Sequence, residues 1–187
     1  MSLNKKWINF LYTISTGTKK VRNLLTPIGI IIFATFIFLF VFAAISVDNI
    51  LNLPKLNLNV WNIVISVSFL IFGLFYIIWS VLHFLKVKGT PVPVNPPPTL
   101  VCTGPYAYTR NPMLTGVFAF MFGIGFWIGS FSLIVIFTPL FILTNTLELK
   151  QIEEPELERR LGEKYIECKK RTPMFIPGLN YILKARK

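Results

Sequence analysis

The sequence predicts an all-α integral membrane protein with about four membrane-spanning helices. Of its 187 residues, 53% are hydrophobic, and three long stretches, residues 23–47, 56–82 and 111–147, contain no Asp, Glu, Lys or Arg. A helix needs about 20 apolar residues to cross roughly 30 Å of hydrocarbon. The first two stretches therefore predict one span each.

The third stretch is too long for one span, since as a single helix it would extend for about 55 Å. A break near Ile128 to Ser132 predicts two short spans folded as a hairpin. The N-terminal segment KKWINFLYTI is too short and too charged to cross. We expect a helix on the membrane surface there, and partial insertion as a fifth membrane element stays open.

The basic residues predict the orientation. They cluster before the first span, between the second and third spans and after the fourth, whereas the loop after the first span contains only Lys55 together with Asp48. The positive-inside rule then places both termini and residues 86–110 in the cytosol. Membrane lipids account for the net charge of +11. No nucleic-acid motif accompanies that charge, so we expect no nucleic-acid partner.

Several isolated features predict structural roles. Cys102 and Cys168 are too few for a disulfide framework and should stay reduced in the cytosol. No Cys/His cluster has metal-binding spacing, so we expect no metal, and no signal peptide is expected. The glycines of GIGFWIG, residues 123–129, predict close helix packing. The lone His83 predicts an ordinary hydrogen bond at a helix end.

The chain predicts a single domain, residues 1–187, with five segments. These are a basic interfacial arm (1–25), the first two spans (26–85), a Pro-rich cytosolic loop (86–110), a helical hairpin (111–148) and a C-terminal cytosolic helix and tail (149–187). Five prolines between Pro91 and Pro98 exclude a helix in the Pro-rich loop and favour extended backbone. Pro155 suits a first helical turn, and Leu157, Leu161, Tyr165 and Cys168 form the apolar stripe of one amphipathic helix.

Two separated motifs carry a family resemblance: TLVCTGPYAYTRNPMLTG, residues 99–116, and EEPELERRLGEKYIECKKRTPMFIP, residues 153–177. With the membrane hairpin between them, they resemble the C-terminal signature of the isoprenylcysteine carboxyl methyltransferase family. More broadly, they resemble small membrane methyltransferases that include phospholipid methyltransferases. The likeness runs from about Thr90 to Pro177 and is strongest to prokaryotic, in particular archaeal, members. The expected location is therefore the plasma membrane of a prokaryote.

The resemblance implies an S-adenosylmethionine cofactor bound without a Rossmann domain. Matching motif positions imply these cofactor-binding residues: Pro98, Thr99, Leu100, Val101, Tyr106, Asn111, Pro112, Met113, Leu114 and Glu153. The family pattern usually has His where Asn111 stands and commonly Tyr where Leu114 stands. An imidazole-dependent step at residue 111 is therefore not expected, although an amide still donates and accepts hydrogen bonds.

Arg110 and Glu154 are the candidate catalytic residues. Arg110 either binds an anionic group, such as the carboxylate of the cofactor or of the acceptor, or is an interfacial arginine that signals topology. Glu154, or its neighbour Glu153, would be the nearest base for an amine acceptor. The alternative for both glutamates is a solvated helix start.

The expected reaction is a direct displacement that methylates a lipophilic acceptor approaching sideways from the bilayer. The first expectation is the carboxylate of a prenylated cysteine, as a small molecule or prenylated peptide, which is already ionised at pH 7. The alternative is the amine of an ethanolamine headgroup. A transporter or scaffold subunit belongs to another class, and the absence of ionisable residues inside the spans argues against transport. A membrane reductase with a nicotinamide cofactor also remains open.

Overall fold

The computed structural model describes residues 3–57, 59–87, 89–90, 92–97 and 99–176. Within these ranges the chain is helical and has no strand, which confirms the predicted all-α class. The helices are α1 (Leu3–Ser15), α2 (Lys19–Ile50), α3 (Val60–Lys86), α4 (Pro112–Ile128), α5 (Thr138–Glu148), α6 (Glu154–Leu161) and α7 (Glu163–Arg171). A short 3₁₀ turn covers Gly104–Ala107, and π-helical turns cover Leu133–Phe137 and Leu149–Glu153.

Three helices of the described chain are long and apolar enough to cross a membrane: α2, α3 and the continuous helix Leu133–Leu161. α4 is apolar but has only 17 residues, which is near the lower limit for a span. It ends at Ile128, where Gly129 adopts a left-handed conformation with φ of 67°. The predicted break in the third apolar stretch is therefore present, and the stretch folds as a helical hairpin.

Small residues bring α3 and α4 into close contact. A Cβ atom added to Gly73 would lie 2.6 Å from the carbonyl oxygen of Gly116, so only glycine allows this approach. Further along the same interface, Ser66 Oγ donates a 2.8 Å hydrogen bond to the carbonyl oxygen of Gly123. Packing through small residues, as predicted for the glycine-rich segment, holds the end of α3 beside the beginning of α4.

Both π-helical turns end two residues before a proline, Pro139 in the first case and Pro155 in the second. Proline has no N–H, and its ring collides with the carbonyl of the fourth preceding residue in an α-helix. A wider turn with i→i+5 hydrogen bonds accommodates the ring without ending the helix. Pro155 lies in the first turn of α6, as the sequence suggested. However, α6 does not begin a separate tail helix, because it continues the helix that runs from Leu133 to Leu161.

The tail differs from the prediction in a second way. The single amphipathic helix is two helices, because Gly162, with φ of 60° and ψ of −142°, separates α6 from α7. Only glycine adopts this backbone conformation readily. The Pro-rich loop contains no helix between residues 87 and 103 where it is described. It is not extended throughout, because the backbone N–H of Thr90 bonds the carbonyl of Asn95 at 3.1 Å and closes a turn.

The predicted N-terminal helix is present as α1, and it lies against the C-terminal part of the chain. Asn4 Nδ2 donates to Gln151 Oε1 at 3.1 Å, and Arg159 donates to Asn9 Oδ1 at 2.7 Å. Trp7 and Phe10 remain about half exposed. The N-terminal arm and the tail helices therefore meet at one end of the helical bundle.

Candidate functional site

A cavity of about 650 Å³ lies at this end of the bundle. Its wall comes from the first half of α2, the Pro-rich loop, the beginning of α4, the π-helical turn Leu149–Glu153, and α6 and α7. A second cavity of about 560 Å³ shares Thr99, Leu100, Arg160 and Leu161 with the first. The larger volume lies within the range of small-molecule sites, which is roughly 300 to 1,000 Å³.

The fold brings the two sequence motifs together around the larger cavity. Of the predicted cofactor-binding residues, those that line it are Thr99, Leu100, Val101, Tyr106, Asn111, Met113, Leu114 and Glu153. Both candidate catalytic residues, Arg110 and Glu154, also line it. Pro112 is fully buried in the first turn of α4 and does not form part of the wall. Pro98 lies outside the described residues.

The Arg110 turn is held by the tail of the chain. The backbone N–H groups of Arg110 and Asn111 donate to the carbonyls of Pro173 and Met174 at 2.9 and 3.2 Å. Thr109 Oγ1 also donates to the Met174 carbonyl, at 2.7 Å. These bonds explain why a polar turn is stable beside the apolar α4. Sequence reasoning missed them, because no periodicity or spacing signals a loop-to-loop contact.

Glu154 is at the centre of a charged network and is only 5% exposed. Arg110 Nη1 donates to Glu154 Oε1 at 2.5 Å and to the Tyr165 hydroxyl at 3.2 Å. Lys169 Nζ lies 2.6 Å from Glu154 Oε2. Both carboxylate oxygens are therefore paired, and Glu154 orients Arg110 rather than sitting at an open helix start. Burial, followed by the Glu154 charge, raises the pKa of Tyr165, which keeps its proton.

One hydrogen-bond donor of the Arg110 guanidinium has no partner in the part of the chain that the structure describes. Its Nε is buried and has no hydrogen-bond partner among the described residues. A buried donor without a partner costs free energy, so a protein tends to retain one where a ligand supplies the acceptor. An anionic ligand group is the matching chemistry.

Glu148 and Glu153 are acidic residues of the cavity wall that differ from Glu154 and Glu156 in having no ion pair among the described residues. Both line it, and neither has an ion pair or hydrogen bond to a described residue. Glu148 directly precedes the π-helical turn Leu149–Glu153, and Glu153 is its last residue. The two carboxylates lie within electrostatic range of each other. Glu148 escaped sequence reasoning, although a glutamate five residues before Glu153, with a proline just beyond, was the available signal.

Tyr106 and His83 support the Pro-rich loop. Tyr106 is buried, and its ring packs edge-on against Phe84 at 4.7 Å. Burial raises the pKa of Tyr106. His83 Nε2 lies 3.0 Å from Thr103 Oγ1, which confirms the predicted helix-end hydrogen bond. Gly104, with φ of 60°, lies against this imidazole ring, and a Cβ there would approach it to 2.6 Å.

Cys102 and Cys168 are both free thiols, and they form a hydrogen bond that joins the Pro-rich loop to α7. That bond, helped by Thr172 and by the charges of Arg110 and Arg171, lowers the pKa of Cys168 to about 7. The same bond and burial raise the pKa of Cys102. Because Cys168 also lines the cavity, alkylation of this thiol can report on whether the cavity is occupied.

The opposite wall of the cavity is apolar and reaches the outside of the bundle. It consists of Ile30, Ile32, Phe33 and Phe36 of α2, and Ile30 and Ile32 are 54% and 64% exposed. Gly29 lets α2 approach the Pro-rich loop, since a Cβ there would lie 2.9 Å from Val92. The cavity therefore joins a charged end to an opening on an apolar surface.

One protein family has a sequence model that matches this chain. The model of the phospholipid methyltransferase family matches residues 61–164, more than half of the chain. The matched region includes α3, the Pro-rich loop, the hairpin and α6. No match was found among curated proteins or among solved structures.

Proposed function

Because the chain belongs to the phospholipid methyltransferase family, and is thus a membrane methyltransferase, we propose that it methylates the amine of a lipid headgroup with S-adenosylmethionine as donor. The proposal rests on two carboxylates, Glu148 and Glu153, that have no ion pair among the described residues. They lie at the charged end of a cavity that opens on an apolar surface. Carboxylates without partners favour cationic ligand groups.

The residues of the cavity fit the amino-acid end of S-adenosylmethionine. Glu153 can accept hydrogen bonds from its ammonium group, and the buried Nε of Arg110 can donate to its carboxylate. Leu100 and Val101 offer an apolar wall for the adenine ring. When bound, this cofactor supplies an electrophilic methyl group on a sulfonium centre.

Glu148 is the residue to which we assign the acceptor amine. A primary amine has a pKa near that of lysine, about 10, so it is protonated at pH 7 and must lose a proton to become a nucleophile. Glu148 can attract the ammonium and accept that proton, and because its side chain is exposed it can pass the proton to water. Glu154 is unsuited to this role because Arg110 and Lys169 already pair with it.

A second candidate acceptor is the carboxylate of a prenylated cysteine. The observation that favours it is the unpartnered Nε of Arg110, which could bind the carboxylate of the acceptor instead of that of the cofactor. This acceptor is already ionised and needs no base. Both candidates use the apolar opening beside α2 for a lipid chain.

The two acceptors can be compared directly in protein reconstituted into nanodiscs, with radiolabelled methyl transfer as the readout. The acceptors are phosphatidylethanolamine, N-acetyl-S-farnesyl-cysteine and its S-butyl analogue. We expect transfer to phosphatidylethanolamine, with a loss of at least tenfold in Glu148→Gln. Glu167→Gln, on an exposed part of α7 outside the cavity, is the matched control and should retain the wild-type rate.

If only N-acetyl-S-farnesyl-cysteine is methylated, the acceptor is the carboxylate of a prenylated cysteine. Equal transfer to the farnesyl and butyl compounds would contradict sideways access of a lipid chain. Alkylation of Cys168 tests the cofactor independently of turnover, since S-adenosylmethionine in the cavity should protect this thiol. If no methyl transfer is observed and S-adenosylmethionine does not protect Cys168, the proposed activity is wrong.

A further inference from the structure

We propose that Arg160 forms an anion subsite that binds the phosphodiester of the acceptor lipid and that α1 holds it in place. This inference rests on the proposed function, because it names the second charged group of the same headgroup. It concerns a residue that none of the motif positions singled out.

Arg160 occupies the junction between the two cavities, since its side chain lines both. That side chain is only 13% exposed. Lys164 also lines the smaller cavity, opposed by a single acidic residue, Glu163. A cationic group therefore faces the passage that a headgroup would occupy between the larger cavity and the smaller one.

The position of Arg160 is fixed by a chain of hydrogen bonds that begins on another helix. Arg160 Nε donates to Glu156 Oε1 at 2.8 Å, and Ser15 Oγ donates to the same oxygen at 2.9 Å. Ser15 is the last residue of α1 and is 5% exposed, and Glu156 is 4% exposed. A surface ion pair between residues four apart on a helix would contribute little. This pair is buried and has a third member on a separate helix, as expected of a positioned functional group.

α1 is itself attached to the same tail helix by the neighbouring arginine. Arg159 donates to Asn9 Oδ1 at 2.7 Å, and its guanidinium lies 4.1 Å from the centre of the Tyr12 ring. Arg159 and Arg160 therefore have different tasks. Arg159 contacts α1 on the outside of α6, whereas Arg160 lines the cavities.

The guanidinium of Arg160 keeps donors for a ligand. Only its Nε is used, and its two terminal nitrogens have no hydrogen bond to a described residue. Two parallel N–H donors match the spacing of two phosphate oxygens. Arg110 differs, because its Nη1 already bonds Glu154 and Tyr165.

The charges around Arg160 match a zwitterionic headgroup. Glu153 lies within electrostatic range of both Glu148 and Arg160. A headgroup whose ammonium meets the carboxylates can therefore place its phosphodiester at the guanidinium. The carboxylate of the cofactor has the same anionic chemistry, so a test must separate these two sources.

The test compares Arg160→Gln with wild type, using phosphatidylethanolamine and oleylamine, a long-chain amine without phosphate, as acceptors. We expect the KM for phosphatidylethanolamine to rise by about 10- to 100-fold, as for a lost charge-assisted hydrogen bond. The kcat, the KM for oleylamine and the Kd of S-adenosylmethionine should stay within twofold. Ser15→Ala should raise the same KM by a smaller factor, and Arg159→Gln, which loosens α1 without removing a cation from the cavities, should have an effect no larger than that of Ser15→Ala. Glu167→Gln, on the exposed part of α7, should leave this KM unchanged.

A direct binding measurement keeps the result independent of turnover. Calorimetry with soluble dihexanoyl phosphatidylethanolamine should show binding to wild type and at least tenfold weaker binding to Arg160→Gln, even if no methyl is transferred. If no methyl is transferred but the lipid still binds more weakly to Arg160→Gln, the proposed activity is refuted and the anion subsite stands. Equal binding of the lipid to wild type and Arg160→Gln would overturn the anion subsite. So would a higher Kd of S-adenosylmethionine in Arg160→Gln together with an equal effect on both acceptors.

Discussion

The two ends of the helical bundle both contain acidic side chains, but they use them differently. At the end opposite the cavity, Asp48 accepts hydrogen bonds from the Ser130 hydroxyl and, at 2.9 Å, from the Ser132 backbone N–H. These bonds attach the last turn of α2 to the tip of the hairpin. At the cavity end, Glu148 and Glu153 have no partner among the described residues. One carboxylate completes the fold, and we propose that the other two bind a ligand.

This difference follows from what each environment provides. The hairpin tip has backbone N–H groups with no helical partner, because a new helix begins there, and Asp48 satisfies one of them. The cavity end already has its cations assigned, Arg110 and Lys169 to Glu154, and Arg160 to Glu156. No cation of the described residues forms an ion pair with Glu148 or Glu153. A bound cationic group should therefore stabilise the folded protein by mass action.

The largest effect on stability should come from the paired carboxylate at the cavity end. Glu154→Gln leaves Arg110 and Lys169 close together without the intervening charge, and breaking a buried pair in this way costs about 3 kcal/mol. Chemical unfolding in mixed micelles measures the loss. Glu158→Gln is the matched control, because it removes only the partly exposed second partner of Lys169, and it should cost less than about 1 kcal/mol. Equal losses in the two variants would contradict the central role of Glu154.

A smaller loss is expected at the opposite end. Asp48→Asn keeps one carbonyl acceptor but loses the charge that strengthens both hydrogen bonds, which should lower the free energy of unfolding by about 2 kcal/mol. Because the change is at the far end of the bundle, the Kd of S-adenosylmethionine should not change. Unfolding and calorimetry on the same preparation check both parts. An altered Kd with unchanged stability would show that the hairpin tip is coupled to the cavity.

Sequence reasoning predicted the parts of this fold that depend on local pattern. Charge-free stretches located α2, α3 and the hairpin, and the break fell where Gly129 ends α4. The two motifs located nearly half of the residues that line the cavity, because family positions carry over residue by residue. The helical arm was also predicted, since α1 combines charged and aromatic residues within one short segment.

The parts that sequence reasoning missed depend on contacts between distant residues or on subtle backbone changes. Pro155 was correctly placed in the first turn of a helix, but the π-helical turn that joins α6 to the preceding helix was not predicted, because it has no composition of its own. Gly162 was not recognised as a break, because the apolar stripe continues across it and its backbone conformation is visible only in the structure. The bond between Ser15 and Glu156 joins residues 141 apart, and no local pattern encodes it.

The smallest effect on stability, and the sharpest contrast with Asp48, is expected for Glu153→Gln. An unpaired carboxylate that is partly removed from water destabilises the folded state, so replacing it with a neutral amide should leave the free energy of unfolding unchanged or raise it by up to about 1 kcal/mol. The same change should weaken S-adenosylmethionine binding by about 1.5–3 kcal/mol, because the charge-assisted hydrogen bond to the ammonium is lost. Unfolding without ligand and calorimetry with ligand measure the two quantities on one protein. A destabilised variant with unchanged affinity would mean that Glu153 completes the fold as Asp48 does and that the ligand-facing carboxylate lies elsewhere in the cavity.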